Sequence, residues 1–368
     1  MTTVEIRKEE DLLNYIVIST LNNNTCFDLI KMTHILKVLI SASEKAARVA
    51  KSCCENSESL LVAEKCETEA NTRFDKDFKT IADVLAQESA KALIVSHFPE
   101  LASHVRGEEC SEIGGITIGL QEDVQRTSEL LSCLIPPVTA KRMSEAAHCD
   151  IDLNLDLPSS LPDLDLDNLG IWIDPIDATA EFIAGVRNEA KMGHGLPCVT
   201  VLIGAYLKST GEPVIGIINQ PFYENGKGRI IWGFNYGNVR EWSKNEHDAS
   251  DEKVILMSGA EKSDVIEKFK ALGWLVKSVP GAGHKLMKVA LGEVSAYIVS
   301  QGTTFRWDTC GPHAIILAKG GNVLSYKDFL PITYNDDKDL DSKEYCNKHG
   351  IIAYTNESFL NELKNIII

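Results

Sequence analysis

From Met32 onward, Ile35, Leu36, Leu39, Ile40, Ser43, Ala46, Ala47 and Ala50 recur at helical spacing, which predicts an amphipathic helix with a small-residue end. A second helix is expected from Thr80. Ile81, Val84, Leu85 and Phe98 share its apolar face, Pro99 ends it, and Thr80 stands three residues before Asp83 in capping-box relation, with Asp in place of the usual Glu or Gln. Leu169 to Ile173 is a short apolar run suited to a buried strand, and Ala178 to Ala184 is helix-permissive. Strand signals follow at Val199–Leu207, Val214–Ile218 and Arg229–Phe234, with a turn at Ser209 to Pro213, which together read as an antiparallel meander.

Beyond a polar stretch from Lys244 to Lys253 the pattern alternates. Strands are expected at 254–257, 275–279, 294–299, 322–324 and 351–354, and helices at 263–272, 284–291, 312–319 and 359–366. Such alternation predicts a C-terminal α/β layer. Residues 1–31 carry no sustained pattern and include Asn22-Asn23-Asn24-Thr25, so they are expected as an extension. At 368 residues the chain exceeds a usual single core, and beyond the extension two packed subdomains are expected, 32–243 and 244–368.

Composition narrows the class. Hydrophobic residues at 44% and charged residues at 24% are ordinary for a globular chain and exclude wholesale disorder. A net charge of -16 argues against binding a nucleic-acid polymer or an anionic membrane, while an anionic substrate stays compatible if metal ions invert the local field. The ten cysteines show no C-x-x-C pair or zinc-like spacing and read as reduced thiols. With no signal-peptide pattern and no membrane-length apolar run, the expected location is cytoplasmic. From Cys149 to Asn168 Asp and Leu alternate. Asp150, Asp152 and Asn154 begin like a calcium loop, but Leu155 and Leu161 occupy the positions that need Gly and Glu, so an acidic surface loop is expected.

Candidate chemistry centres on Trp172-Ile173-Asp174-Pro175-Ile176-Asp177-Ala178-Thr179. Two carboxylates at a strand's carboxyl end suit hard Mg²⁺, and the following helix start suits a phosphate; the same residues are equally compatible with helix capping. Three further acidic positions could converge there. Asp83 lies in a first helical turn, Glu108 and Glu109 follow Arg106-Gly107 after a strand, and Asp308 sits in Phe305-Arg306-Trp307-Asp308-Thr309-Cys310 before a helix. Each also has a plain role open to it: a cap for Asp83 and Asp308, exposed loop acids for Glu108 and Glu109.

Taken in order, Gly107-Glu108-Glu109-Cys110-Ser111, Asp174-Pro175-Ile176-Asp177-Ala178-Thr179 and Trp307-Asp308-Thr309-Cys310 resemble the three signatures of the lithium-sensitive, magnesium-dependent phosphomonoesterase superfamily that includes inositol monophosphatase. The resemblance runs from about Met32 to the C-terminus, and Asp77 to Leu85, the inserted stretch before Pro197, Ile218 to Phe222 and Thr303 to Asp308 look like its inositol-polyphosphate branch. It implies a layered α-β-α-β-α sandwich of mixed α+β and α/β character. By the same resemblance, Glu108, Asp174 and the Ile176 carbonyl would hold one Mg²⁺, Asp174, Asp177 and Asp308 a second, and Glu109 a third, with Asp83 near them and Li⁺ inhibitory. Two such cations roughly 4 Å apart activate a water and stabilise the leaving oxygen. Thr179 and Asp83 would orient that water, with Glu108 beside them, and Asp177, Ala178 and Thr179 would meet the phosphate. Ala178 departs from the pattern, since monophosphatases have Gly there and the polyphosphate branch commonly Ser.

Substrate contacts implied by the resemblance are Ser258, Lys262, Gly281, Ala282, Lys285 and Thr304, with Lys285 meeting a phosphate that is not cleaved. His313 and Cys310 read as packed helix residues. The implied activity is removal of the 1-phosphate from inositol 1,4-bisphosphate and inositol 1,3,4-trisphosphate by a monomer. The alternatives are a 3'(2'),5'-bisphosphate nucleotidase acting on 3'-phosphoadenosine 5'-phosphate, and a non-catalytic phosphoinositol-binding protein, whose expected signature is a lost metal carboxylate; none is missing.

Overall fold

The computed structural model describes residues 34–54, 60–65, 77–153, 157–243, 253–335 and 342–367. The extension at 1–31 and the expected subdomain boundary at 243/244 fall at or outside the edge of these segments.

Helix α1 (His34–Ser52) forms as its periodicity requires and buries Leu36, Leu39, Ile40, Ala46, Ala47 and Ala50. The short hairpin of β1 (Val62–Glu64) and β2 (Phe78–Thr80) leads into α2 (Ile81–His97). The capping box is present: the Thr80 hydroxyl accepts from the Ala82 and Asp83 N–H groups, and Asp83 Oδ2 accepts from Thr80 N at 2.7 Å. Strand β3 (Val105–Gly107) follows, then the hairpin of β4 (Glu112–Ile113) and β5 (Ile116–Thr117), and two helices the pattern had not marked, α3 (Val124–Leu131) and α4 (Pro137–His148). Buried Lys45 of α1 donates to the Ala147 and Cys149 carbonyls at the end of α4, satisfying terminal groups a short helix leaves open.

Strand β6 (Leu169–Asp177) continues four residues past its expected end. Its register with β7 (Thr200–Leu207) shifts between Asp174 and Asp177, so Pro175 falls in a bulge, where a missing N–H is tolerated. After α5 (Thr179–Val186), strands β7, β8 (Pro213–Gln220) and β9 (Arg229–Tyr236) form the expected meander, and β10 (Val239–Trp242) adds an edge strand that the pattern does not mark. The six-stranded sheet runs β10-β9-β8-β7-β6-β3, with β3 parallel to β6.

The second sheet runs β12-β11-β13-β15-β14, built from β11 (Val254–Met257), β12 (Leu275–Ser278), β13 (Ala296–Val299), β14 (Asn322–Ser325) and β15 (Ile351–Tyr354). It alternates with α6 (Ser263–Ala271), α7 (Ala282–Leu291), α8 (Arg306–Ala318) and α9 (Glu357–Ile367). The layers are α1, α2 and α4, the six-stranded sheet, α7 and α8, the five-stranded sheet, then α6 and α9. This is the α-β-α-β-α sandwich expected.

Helix α8 corrects one expectation. It starts at Arg306, six residues before the predicted Pro312, and Pro312 lies inside it. Asp308 is thus in the first turn rather than ahead of the helix, and its Oδ2 accepts from Phe305 N at 2.6 Å, which nucleates the helix early. The helix lies unusually close to the sheet because Gly204, Gly216 and Gly233 are register partners on β7, β8 and β9. A Cβ at Gly204 would stand 2.3 Å from Gly311 N, one at Gly216 1.8 Å from Gly311 O, and one at Gly233 2.7 Å from Ile315 Cα. No described helix is long and apolar enough to cross a membrane.

Candidate active site

Strand β6 delivers Asp174 and Asp177 on either side of its bulge, and the first turn of α8 brings Asp308 to them. Carboxylate oxygens of the three lie within 4.8 Å of one another, and all three residues are buried. Burial raises the pKa of each. Asp174 and Asp308 go well above the usual carboxylate range, with Glu108 and Asp177 adding repulsion, and Asp177 rises to about 6. Three buried carboxylates with their oxygens this close fit a hard divalent ion. Asp177 is also tied across the layers: its oxygens accept from Thr200 Oγ1 at 3.1 Å, Ala282 N at 3.2 Å and Gly283 N at 3.0 Å. That approach explains the glycines. A Cβ on Gly281, whose φ is 80°, would lie 3.0 Å from Asp177 Oδ2, and one on Gly283 2.5 Å from Thr200 Oγ1.

Glu108 and Glu109 follow β3 and flank Lys65, which sequence reading missed. Lys65 Nζ is 2.5 Å from Glu108 Oε1 and 2.8 Å from Glu109 Oε1, with its side chain 2% exposed. Burial opposes that charge, yet the two carboxylates hold its pKa well above the usual lysine value. Burial pushes Glu109 up to about 8 despite Lys65. Its main chain is fixed: Gln87 donates to the Glu109 carbonyl at 2.5 Å and accepts from its N–H at 2.9 Å.

Thr179 Oγ1 is 3.2 Å from both Asp83 Oδ1 and the Ile176 carbonyl. Asp83 is buried, and burial lifts its pKa to about 6 against the lowering effect of its bonds from Thr80. Between β6 and α5, Ala178 takes φ 70° and ψ 49°, the left-handed conformation glycine adopts freely. Here an alanine holds it.

A cavity of ≈ 400 Å³ opens onto these groups. Its lining includes Glu108, Asp177, Ala178 and Asp308 together with Ser258, Gly281, Ala282, Lys285 and Thr304. Lys285 Nζ donates to the Val279 and Gly281 carbonyls at 3.0 and 2.7 Å. Lys262 is not brought in: it is exposed at the start of α6, and Ser258 to Ala260 line the cavity in its place. Glu181 and His194 also line it, and sequence reading named neither. His313 and Cys310 are buried in α8 as expected; burial holds His313 down to about 4 and drives the Cys310 thiol well above its ordinary range.

Residues 31–360 match the model of the inositol monophosphatase family. The chain belongs to the inositol monophosphatase family. It is a phosphatase of that family, 33% identical to mouse inositol polyphosphate 1-phosphatase over 92% of this chain and 98% of that protein. It is 28% identical to human 3'(2'),5'-bisphosphate nucleotidase 1, over 80% of this chain and 87% of that one. Family folds agree: the extragenic suppressor protein suhB of Bartonella henselae superposes with a TM-score of 0.53 at 16% identity, covering 90% of this chain and 98% of its own. CysQ of Bacteroides thetaiotaomicron gives 0.51 at 17%, covering 89% and 99%.

Proposed function

We propose that this family member is a Mg²⁺-dependent, Li⁺-inhibited phosphomonoesterase that removes the 1-phosphate of inositol 1,4-bisphosphate and inositol 1,3,4-trisphosphate. The observation that carries the chemistry is the buried Asp174–Asp177–Asp308 cluster. The substrate follows from near-full-length similarity to a protein named for that activity, against lower identity to the nucleotidase.

Asp174, Asp177 and Asp308 would hold one Mg²⁺, Asp174 with Glu108 and the Ile176 carbonyl another, and Glu109 a third. When bound, the ions supply charge neutralisation for the phosphate and its leaving oxygen and acidify a water. The residues do the rest. Thr179 donates its hydroxyl proton to Asp83 Oδ1, which leaves an Oγ1 lone pair to accept a hydrogen bond from the attacking water. Asp83, held near 6, can take that water's proton through Thr179 at neutral pH. Ala178 and Thr179 begin α5, whose N-terminal end favours the phosphate oxyanion, and Gly281 with Ala282 closes the opposite wall.

Phosphate release from inositol 1,4-bisphosphate and from 3'-phosphoadenosine 5'-phosphate, measured side by side with and without Mg²⁺ and Li⁺, tests this. The inositol substrate should be preferred, and Asp174→Asn should abolish Mg²⁺-dependent turnover while the protein stays folded. Preference for the nucleotide would overturn the substrate assignment, and tight binding without release would overturn catalysis.

A further inference from the structure

A substrate with two phosphates needs positive charge in two places, and the cavity wall is short of it. Among the described lining residues the carboxylates are Asp77, Glu108, Asp177, Glu181 and Asp308, while only Lys285 and His194 can carry a proton-borne positive charge. Lys285 already directs two N–H donors at the Val279 and Gly281 carbonyls, and its ammonium lies 5.2 Å from the Tyr297 ring centroid.

His194 is held differently. It belongs to the segment between α5 and β7, which turns through Asn188, Gly193 and Gly195, all with positive φ. One carboxylate fastens it: Glu181 Oε1 lies 3.1 Å from His194 Nδ1, and Glu181 Oε2 accepts from Gly195 N at 2.5 Å. Glu181 stands two residues beyond Thr179 in α5, so the helix whose start is the proposed phosphate site also holds the imidazole in the cavity lining. The side chain is 45% exposed, and its Nε2 makes no hydrogen bond among the described residues.

We infer that His194 is a specificity residue that binds the second, uncleaved phosphate of the substrate through Nε2, and that Glu181 is its positioning residue. With Glu181 on Nδ1 and a phosphate on Nε2, the bound ring uses both nitrogens as donors, one to each anion. The inference rests on the phosphomonoesterase reading above and assigns it a way to tell bisphosphates from monophosphates.

The test is steady-state kinetics of the full chain with Mg²⁺ on inositol 1,4-bisphosphate and inositol 1-phosphate, comparing wild type, His194→Ala and Glu181→Gln. A charge-assisted hydrogen bond is worth about tenfold or somewhat more in affinity, so His194→Ala should raise KM for the bisphosphate about tenfold with kcat within about twofold. The bisphosphate-to-monophosphate ratio of kcat/KM should fall by the same factor. Glu181→Gln should move KM in the same direction by a smaller factor, again without a change in kcat; a merely structural role would lower kcat on both substrates. Equal losses on both substrates, or an unchanged ratio, would overturn the role of His194 while leaving the phosphatase reading intact. If the wild type prefers the nucleotide bisphosphate, the substrate assignment falls and the same ratio is read with 3'-phosphoadenosine 5'-phosphate against 3'-adenosine monophosphate. A wild type that hydrolyses no bisphosphate overturns both.

Discussion

Two buried polar residues of α8, Asp308 and His313, sit five positions apart and are treated in opposite ways. The His313 ring is fully matched: Nδ1 meets the Tyr334 hydroxyl at 3.0 Å and Nε2 meets Asn322 Oδ1 at 2.8 Å, so the ring is held neutral. The Asp308 carboxylate has the Phe305 N–H as a donor and meets Asp174, but it faces Asp177 and Glu108, which repel its charge. One end of the helix has its polar capacity satisfied inside the fold, and the other keeps capacity in reserve. Buried polar groups are ordinarily paired, so the unbalanced end marks the chemistry and the balanced end marks the scaffold.

The sharpest way to break this contrast is Asp308→Asn. It should lower Mg²⁺-dependent turnover by at least the ~10²–10³-fold that follows loss of one electrostatic contact to a transition state. The thermal midpoint of metal-free protein should not fall, because a repelled charge is being removed. A large loss of metal-free stability would show that the cap Asp308 makes on the Phe305 N–H outweighs the repulsion it suffers.

The second prediction sets the ends against each other through pH. His313 has a folded pKa of about 4, below the ordinary 6.5, so the unfolded chain takes up a proton that the native protein refuses as pH falls from 6.5 toward 4. Its contribution is therefore present above 6.5 and is lost on acidification, by an amount on the order of 3 kcal/mol. Asp177 and Asp83, each raised to about 6, act with the opposite sign in metal-free protein: their penalty is complete above 6 and is relieved as pH falls toward the unfolded value of 3.8. Denaturant titrations of metal-free protein at pH 4.5 and 7 should show His313→Gln losing much of the acid lability of wild type, with the relief of the acidic cluster left visible. Unchanged acid lability in that variant would mean that His313 is not the group responsible.

The smallest effect is expected at the junction between β6 and α5, where Ala178 sits. A non-glycine residue in the left-handed region costs about 1 kcal/mol, so Ala178→Gly should raise the unfolding free energy by up to about that amount. Chemical denaturation measures it directly, and a clear destabilisation would show that the Ala178 methyl is packed to advantage.

Much of this was legible from the chain itself, for identifiable reasons. The Thr80–Asp83 cap is local, and its residues form the box their spacing predicts. The strands of the meander bury whole apolar runs, so their positions survive any register. What escaped depends on distant partners or on a misleading local rule. Pro312 looked like the first residue of a helix, where proline is favoured, while the true start is set by Asp308 holding the Phe305 N–H. Lys65 gains its meaning from Glu108, 43 residues away, and His194 from Glu181 across a turn. Lys262 looked like a phosphate contact by type and approximate position, but the chain turns so that Ser258 to Ala260 face the cavity.

The glycine row across β7, β8 and β9 makes the third carboxylate's position a matter of main chain resting on main chain. No flexible side chain lies between the sheet and Gly311 to absorb an error, so Gly204 and Gly216 act as a gauge block for Asp308. A single methyl introduced there, one helical turn along from Asp308, would be felt as weakened ion affinity. The sheet's interior thereby sets the tolerance of the site.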